Sequence, residues 1–307
     1  MRCALASDWW VYSFTQLANA DAGHDAAAAA TQPAAGGRDE PDLDPDAAAG
    51  APDLDPRFGG ARFGVVLHDV FEHADFAAWQ GWRPGADAPA GERGRIAEAL
   101  GRGGYAAGDI DDGVALVVPM VGHALTATMP EGTTLAAVPG THRRPEIEFQ
   151  FTLAPTRVDV LLALLHRHGL LAARQGFGLR HRLEGLVTGL IDLTYLHEGR
   201  WYVLDWKSNR LPGYGPAQMD EAMADSEYHL QALLYTLALH RWLRFRLGDR
   251  YDYARDFGGV RYLFCRGIDA SRNDGQGIQA WRFEPGLVHA LDALFAGQAQ
   301  AGEVARA

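Results

Sequence analysis

Two short runs decide the fold: VTGLIDLTYL at residues 187–196 and, after a four-residue link, WYVLDWKS at residues 201–208. Both runs are rich in β-branched and aromatic residues, which favour strands. Glu198 and Gly199 lie in the middle of the link, where a two-residue hairpin turn needs a residue such as glycine. We predict a β-hairpin in which the numbers of facing residues sum to 397.

This register predicts the placement of three charged side chains. It sets Asp192 opposite Asp205, with Cβ atoms about 4.5–5.5 Å apart, and strand alternation puts Lys207 on the same face. Two carboxylates held together within apolar strands repel each other, so they need a compensating charge such as a divalent cation with oxygen ligands. Two carboxylates, a cation and a lysine suit phosphodiester hydrolysis. The alternative is a plain ion pair on a solvated strand face.

The lysine content strengthens the interpretation of these residues as a metal site. Of the 28 basic residues, 27 are arginine, and the single lysine is Lys207. A chain that uses arginine elsewhere retains lysine where a compact ammonium with three donors is needed and a planar guanidinium does not fit. Chance survival of one lysine at a neutral position is the alternative.

The net charge of −11 is concentrated in one segment. Residues 20–57 hold nine acids against two arginines and are rich in Ala, Asp and Pro, so about −4 is left for the rest of the chain. Such a segment buries too little apolar surface to order itself, and we expect a disordered linker. The remaining chain also lacks the strongly basic surface of a protein that grips duplex DNA unaided. If DNA is the substrate, another protein must deliver it.

Several classes of protein are disfavoured by absent signals. The two cysteines, Cys3 and Cys265, give neither a four-cysteine metal site nor a disulfide framework. Residues 1–14 lack the apolar core of a signal peptide. The uncharged stretch Val114–Thr128 is too short to span a bilayer. No Gly-x4-Gly-Lys-Ser/Thr motif is present, so we expect no ATP site. A cytoplasmic protein with no membrane association is predicted.

Periodicity along the chain predicts alternating strands and helices. A helical pattern starts at Phe63 and another covers Pro216 to Leu247, while residues 146–153 alternate as a strand with one wet face. Val158–Leu171 is predicted as an amphipathic helix and Val260–Arg266 as an apolar strand. This order predicts an α/β (α+β) domain with a mixed central β-sheet flanked by helices.

The two hairpin runs resemble the active-site strands of the PD-(D/E)xK nuclease superfamily, in particular its RecB-type (exodeoxyribonuclease V beta-type) nuclease domains. The matching segments are GLIDL at 189–193, YVLDWKSN at 202–209, QALLYTLALHR at 231–241, FGGVRYLFCRG at 257–267, LHDVFE at 67–72 and EIEF at 146–149. The resemblance implies a restriction-endonuclease-like core. Together with the composition, it suggests four parts: an aromatic N-terminal segment (1–19), the acidic linker (20–57), a nuclease domain (58–298) and a flexible tail (299–307). From its aromatic character, the stretch Trp9–Leu17 is expected to dock on the folded body.

The resemblance also implies roles for individual residues. His68 would join Asp192, Asp205 and the backbone carbonyl of Trp206 as a metal ligand, and Lys207 would assist the attacking water. Glu146 matches an acidic residue that approaches the same centre, with Glu148 as the less favoured alternative. The residues that would hold DNA or brace the site are Gln231, Tyr235, Tyr228, Ser208 and Asn209. From chemistry alone, His68 is equally well a packed histidine, and Gln231 equally well a solvent-facing residue of an amphipathic helix.

The function implied by the resemblance is Mg²⁺-dependent hydrolysis of DNA, mainly single strands, in double-strand-break repair, with Mn²⁺ or Ca²⁺ as substitutes in binding. The implied partners are RecC- and RecD-like helicase–nuclease subunits and a RecA-type recombinase. Two alternatives stay open. One is a catalytically silent module that guides DNA or docks a partner. The other is a fragment that needs its helicase to act.

Overall fold

The structure, a computed structural model, describes residues 10–13, 17, 55–272 and 274–298. The predicted flexible tail, nearly all of the acidic linker and most of the aromatic N-terminal segment lie outside these residues. The strands are β1 (Trp10–Tyr12), β2 (Arg143–Arg157), β3 (Arg182–His197), β4 (Arg200–Lys207), β5 (Phe257–Phe264) and β6 (Ile278–Trp281). The helices are α1 (Gly60–His73), α2 (Glu92–Arg102), α3 (Ile110–Thr126), α4 (Val158–Arg167), α5 (Pro216–Asp225), α6 (Tyr228–Leu247), α7 (Tyr253–Asp256) and α8 (Pro285–Phe295).

The six strands form one mixed sheet in the order β1-β3-β4-β5-β6, with β2 paired to β3 as well. β1 runs parallel to β3 and β4 parallel to β5. The other pairs are antiparallel. Helices cover both faces of this sheet, so the predicted α/β class with a mixed central sheet is confirmed.

The predicted hairpin is present in the predicted register. β3 and β4 pair from His197–Arg200 at the turn to Leu193–Leu204. Glu198 and Gly199 both adopt positive φ angles, 47° and 77°, as a two-residue turn of type I′ requires. This turn holds the strands so that their right-handed twist continues through the hairpin.

β3 is the strand around which the site is built. One edge of β3 pairs with β2 along most of its length. The opposite edge is shared, because β1 pairs with residues 185–187 and β4 with residues 193–197. Within the described part of the chain, residues 188–192 have no ladder partner from β1 or β4 on this edge, and β3 and β4 separate there.

The first strand packs tightly at its end of β3. Tyr12 is 4% exposed and belongs to the hydrophobic core. A Cβ atom added at Gly185 would lie 1.8 Å from the Trp10 carbonyl oxygen, so only glycine allows this approach. Residues 10–12 of the aromatic segment thus pair with the body of the domain.

Alternation along β4 divides its side chains between two cores. Val203 joins the core beneath α4, α6 and α8, while Leu204 and Trp206 join the core beneath α1, α2 and α3. Residues 205 and 207 follow Val203 in the alternation and so lie on the α6 side. This placement directs Asp205 and Lys207 toward α6.

Two helical predictions need correction. The pattern from Pro216 to Leu247 forms two helices, since the chain turns at Glu227, which has a φ of 50°. The buried Arg174 forms an ion pair with the partly exposed Glu227 at this turn. The helix that starts at Val158 ends at Arg167 and not at Leu171. The long uncharged stretch lies largely in α3, and none of the helices described combines the length and apolarity needed to cross a membrane.

Candidate active site

Asp205 and Lys207 form a buried ion pair at the end of β4. Lys207 Nζ lies 2.6 Å from Asp205 Oδ2, and the two side chains are only 1% and 2% exposed. At this distance the contact is a charge-assisted ion pair, and Asp205 Oδ2 has no further hydrogen bond to the described residues. Burial raises the pKa of Asp205 to about 7; Lys207 opposes this rise and the neighbouring Asp192 carboxylate adds to it.

Asp192 lies where β3 and β4 separate. The backbone N–H of Trp206 donates to Asp192 Oδ2 across 2.8 Å. The prediction that Asp192 and Asp205 face each other as ladder partners is thus wrong in detail, because the ladder ends one pair earlier. In a strand, the N–H and C=O of one residue point to the same neighbouring strand. The Trp206 carbonyl therefore points toward β3, into the opening beside Asp192.

His68 reaches the same opening from α1. Its Nδ1 lies 3.3 Å from Asp192 Oδ1, and the side chain is 12% exposed. Helical phase explains this placement: α1 buries Leu67 and Phe71 against the sheet, and His68 lies at the margin of that buried face. His68 therefore lies beside one of the predicted carboxylates, where a metal ligand of this site would lie, and its role as a ligand stays a prediction.

The donor chemistry here fits a divalent cation, although the donor atoms are not gathered around one point. Two carboxylates, an imidazole and a carbonyl are acceptable ligands for such an ion, and Asp205 Oδ2 is a buried oxygen poor in hydrogen bonds. Among the described residues, the group whose three ligand atoms lie within 4.8 Å of one another is instead Asp69, Glu72 and His73, at the outer end of α1. Side-chain movement must therefore accompany occupancy of the predicted site.

Of the two acids on β2, Glu146 is the better placed. The β2–β3 register pairs Pro145 with Leu193 and Ile147 with Ile191, so Glu146 is level with Asp192. It is half-buried and has a φ of 47°, which interrupts the strand alternation. Glu148, the alternative, lies farther along the strand and is exposed.

α6 supplies the surroundings of the lysine. Gln231 Oε1 lies 3.4 Å from Lys207 Nζ, and Gln231 Nε2 donates to the Tyr235 hydroxyl across 3.2 Å. The Tyr228 ring centroid is 4.0 Å from Nζ. Gln231 is 5% exposed, so the alternative of a solvent-facing glutamine is wrong.

The residues that follow Lys207 are tied to neighbouring elements. The amide of Asn209 lies 3.4 Å from the Tyr228 hydroxyl. The carbonyl of the buried Ser208 accepts a hydrogen bond from Arg266 Nε across 2.8 Å. The structure thus brings every predicted site residue to this end of the sheet.

Sequence reasoning missed two aromatic residues at the site. Tyr262 on β5 is registered with Asp205 in the parallel ladder, and its hydroxyl donates to Gln231 Oε1 across 2.7 Å. Phe71 on α1 stacks on Trp206, with ring centroids 3.8 Å apart and planes 6° from parallel. Only knowledge of which strand and which helix flank β4 could have identified them.

The charged side chains of this site differ in their exposure. Exposure of the side chains rises from Lys207 and Asp205 to Asp192 (7%) and His68 (12%). A cavity of about 400 Å³ lies elsewhere, between the start of α4 and residues 175–181. Among these four side chains, those of the ion pair are therefore the least accessible and that of His68 is the most accessible.

The mixed sheet and its charged residues define a protein of the nuclease class. A profile described as the PD-(D/E)XK nuclease superfamily matches residues 46–265, and the chain belongs to this superfamily. PD-(D/E)XK nucleases use divalent metal ions, typically Mg²⁺.

Curated relatives of the chain carry one description. The "RecBCD enzyme subunit RecB" of Escherichia coli (strain K12) is 35% identical over 84% of this chain and 21% of that protein. The subunit of the same description from Mycobacterium tuberculosis (strain CDC 1551 / Oshkosh) is 34% identical over 93% of this chain and 28% of that protein. That from Haemophilus influenzae is 45% identical over 37% of this chain. The chain thus spans about a fifth to a quarter of the length of the first two relatives.

Proposed function

We propose that this chain is a Mg²⁺-dependent DNA nuclease module of the exodeoxyribonuclease V beta type. The observation that carries the proposal is the buried Lys207–Asp205 ion pair beside Asp192 and His68, at the point where the sheet opens. Burying four ionisable groups together opposes folding unless they serve one another or a ligand. Membership of a nuclease superfamily supports a phosphodiester as the ligand.

In this proposal each residue has a defined task. His68, Asp192, Asp205 and the Trp206 carbonyl hold the cation, which, when bound, polarises the phosphate and lowers the pKa of water. Lys207 donates hydrogen bonds to a phosphate oxygen or to the attacking water and stabilises negative charge at phosphorus. Glu146, at the open side, orients that water. Gln231, Tyr235 and Tyr228 hold the lysine. Ser208 and Asn209 line the site directly after the end of β4.

The substrate and setting follow from the relatives and from the charge. We infer that the substrate is DNA, mainly single-stranded, that the reaction belongs to double-strand-break repair, and that the protein works in the cytoplasm. A net charge of −11 argues that another protein delivers the strand. RecC- and RecD-like subunits fit that task, since the relatives are described as RecBCD subunits. A RecA-type recombinase would be the recipient of the processed strand.

Loss of cleavage in two variants tests the proposal. We expect Asp205→Ala and Lys207→Ala to abolish Mg²⁺-dependent cleavage of end-labelled single-stranded DNA. Asp249→Ala, which removes an exposed aspartate outside the site, is the matched control and retains full activity. Circular dichroism of all three proteins checks the fold. Cleavage by purified Lys207→Ala at the rate of the unaltered protein would end the proposal.

A second candidate, a catalytically silent module that guides DNA or docks a partner, is favoured by one observation. Asp205 and Lys207 are almost inaccessible, at 2% and 1% exposure. A silent module would yield no products at any Mg²⁺ or Mn²⁺ concentration, with or without a helicase partner. A fragment that needs its helicase would yield products only when that partner is added.

A further inference from the structure

The Tyr262 hydroxyl is buried beside the site, and among the described residues its hydrogen-bond partners are Gln231 and Tyr228, neither of which is a proposed metal ligand. Tyr262 is 0% exposed. Its hydroxyl lies 2.7 Å from Gln231 Oε1 and 3.3 Å from the Tyr228 carbonyl oxygen. A phenol has one proton to donate, and the shorter distance assigns that proton to Gln231.

The Gln231 amide is thereby fixed from both ends. Tyr262 donates to its oxygen, while its nitrogen donates to the Tyr235 hydroxyl across 3.2 Å. This orientation turns the carbonyl oxygen, and not the NH₂ group, toward Lys207 Nζ at 3.4 Å. An amide rotated by 180° would present hydrogen-bond donors to an ammonium, which repel it.

The ammonium of Lys207 is enclosed by groups that attract a cation. Asp205 Oδ2 lies 2.6 Å from Nζ. The ring centroids of Tyr228 and Tyr262 lie 4.0 Å and 5.3 Å from it, within the range of cation–π attraction. A lysine has four rotatable side-chain bonds, so fixing its end requires several contacts at once. The Gln231 carbonyl is the contact whose direction depends on Tyr262.

We propose that Tyr262 is a positioning residue for Lys207 and that it acts through the amide of Gln231. This inference rests on the proposed nuclease function, in which Lys207 donates to the phosphate or to the attacking water. Tyr262 orients the amide, and the amide oxygen directs one N–H of the ammonium. The directions of the other two N–H groups, toward Asp205 and toward the proposed phosphate or water, are then fixed as well. Without the hydroxyl, the ammonium keeps its charge and its aromatic neighbours but loses its fixed direction.

Tyr262→Phe tests this inference with a minimal change. The ring stays, so packing and the cation–π contact stay, and only the hydroxyl is lost. We expect kcat on single-stranded DNA to fall about tenfold, the factor that corresponds to one neutral hydrogen bond of about 1.4 kcal/mol. KM for DNA and the Kd for Ca²⁺ should change by less than about twofold, since Tyr262 contacts neither ligand.

Tyr253→Phe is the matched control. Tyr253 is 3% exposed, and its hydroxyl donates to the Phe283 carbonyl across 2.9 Å. Tyr253 packs on His240, nine residues beyond Gln231 on α6. Both variants lose one buried hydrogen bond and should lose similar stability, but only Tyr262→Phe should lose kcat. An equal loss of kcat in the two variants would overturn the inference.

A double-mutant cycle tests the route through the amide. If Tyr262 acts through Gln231, then Tyr262→Phe adds no further loss of kcat to Gln231→Leu. Additive losses would show that Tyr262 acts directly and would overturn the inference. Unchanged kcat in Tyr262→Phe, with Lys207→Ala inactive, would also overturn it while leaving the proposed nuclease function intact. An active Lys207→Ala would instead remove the proposed function and this inference together.

Discussion

The Trp206 amide and the Asp192 carboxylate form the hydrogen bond that closes the β3–β4 hairpin beyond its last ladder pair, with the amide nitrogen 2.8 Å from Asp192 Oδ2. A side chain here replaces the backbone acceptor of a regular ladder. Asp192 therefore has two tasks, since one oxygen satisfies a buried N–H and the other is directed toward His68. These tasks can be separated by substitution.

Asp192→Asn should keep the acceptor and lose the charge, whereas Asp192→Ala loses both. We expect neither variant to bind Ca²⁺ measurably by titration calorimetry. Asp192→Ala should also be less stable than Asp192→Asn by about 1–3 kcal/mol, because it leaves the Trp206 N–H buried without an acceptor. Urea unfolding measures this difference. Equal stability of the two variants would show that water replaces the carboxylate as the acceptor of the Trp206 N–H.

Metal binding should release a proton at low pH. Burial raises the pKa of Asp205 to about 7, so at pH 6 the carboxyl is largely protonated and must lose its proton to become a ligand. We expect Ca²⁺ affinity to rise between pH 6 and pH 8. Calorimetry in two buffers of different ionisation enthalpy should detect close to one released proton at pH 6 and far less at pH 8. The same proton release at both pH values would contradict this.

Acid should destabilise the fold through His240. Burial lowers the pKa of this side chain to about 4, and Asp292 only partly opposes the shift. The unfolded chain therefore takes up a proton first, and stability is lost as the pH falls from about 6.5 to about 4. In His240→Phe, the free energy of unfolding should fall less steeply across this range than in the unaltered protein. Parallel pH profiles would rule out His240 as the cause.

Arg266 should couple the end of β4 to the start of α1. Its guanidinium donates to the Ser208 carbonyl across 2.8 Å and to the Phe58 carbonyl across 2.5 Å, and burial lowers its pKa to about 10. We expect Arg266→Met to lower the free energy of unfolding by about 1–3 kcal/mol and to weaken Ca²⁺ binding, since α1 carries His68. Arg272→Met, at a mostly exposed arginine, is the control. Unchanged Ca²⁺ affinity in Arg266→Met would refute the coupling.

Local chemistry made the hairpin predictable from the sequence. Gly199 permits one positive φ, and the alternation of apolar residues in the two runs fixes the register on either side. Because Asp192, Asp205 and Lys207 all lie on this one hairpin, most of the candidate site followed from a single turn. The end of the ladder at Leu193–Leu204 did not follow, since it depends on an interaction between a side chain and the backbone.

Contacts between distant segments account for what the sequence could not predict. Tyr262 belongs to the site only because β5 lies beside β4, which hydropathy does not reveal. The break between α5 and α6 occurs at Glu227, a residue without the freedom of glycine. Arg174, more than fifty residues earlier, pairs with Glu227 at that left-handed position.

The place of β1 in the sheet has a practical consequence for anyone who wants to shorten this protein. Expression from residue 55 onward would discard the acidic segment, but it would also remove Tyr12 from the core. The bare edge of β3 at residues 185–187 would then offer unpaired backbone groups to other chains, a common route to aggregation. A soluble version should instead keep residues 10–13 and shorten only the acidic segment that follows them in the chain.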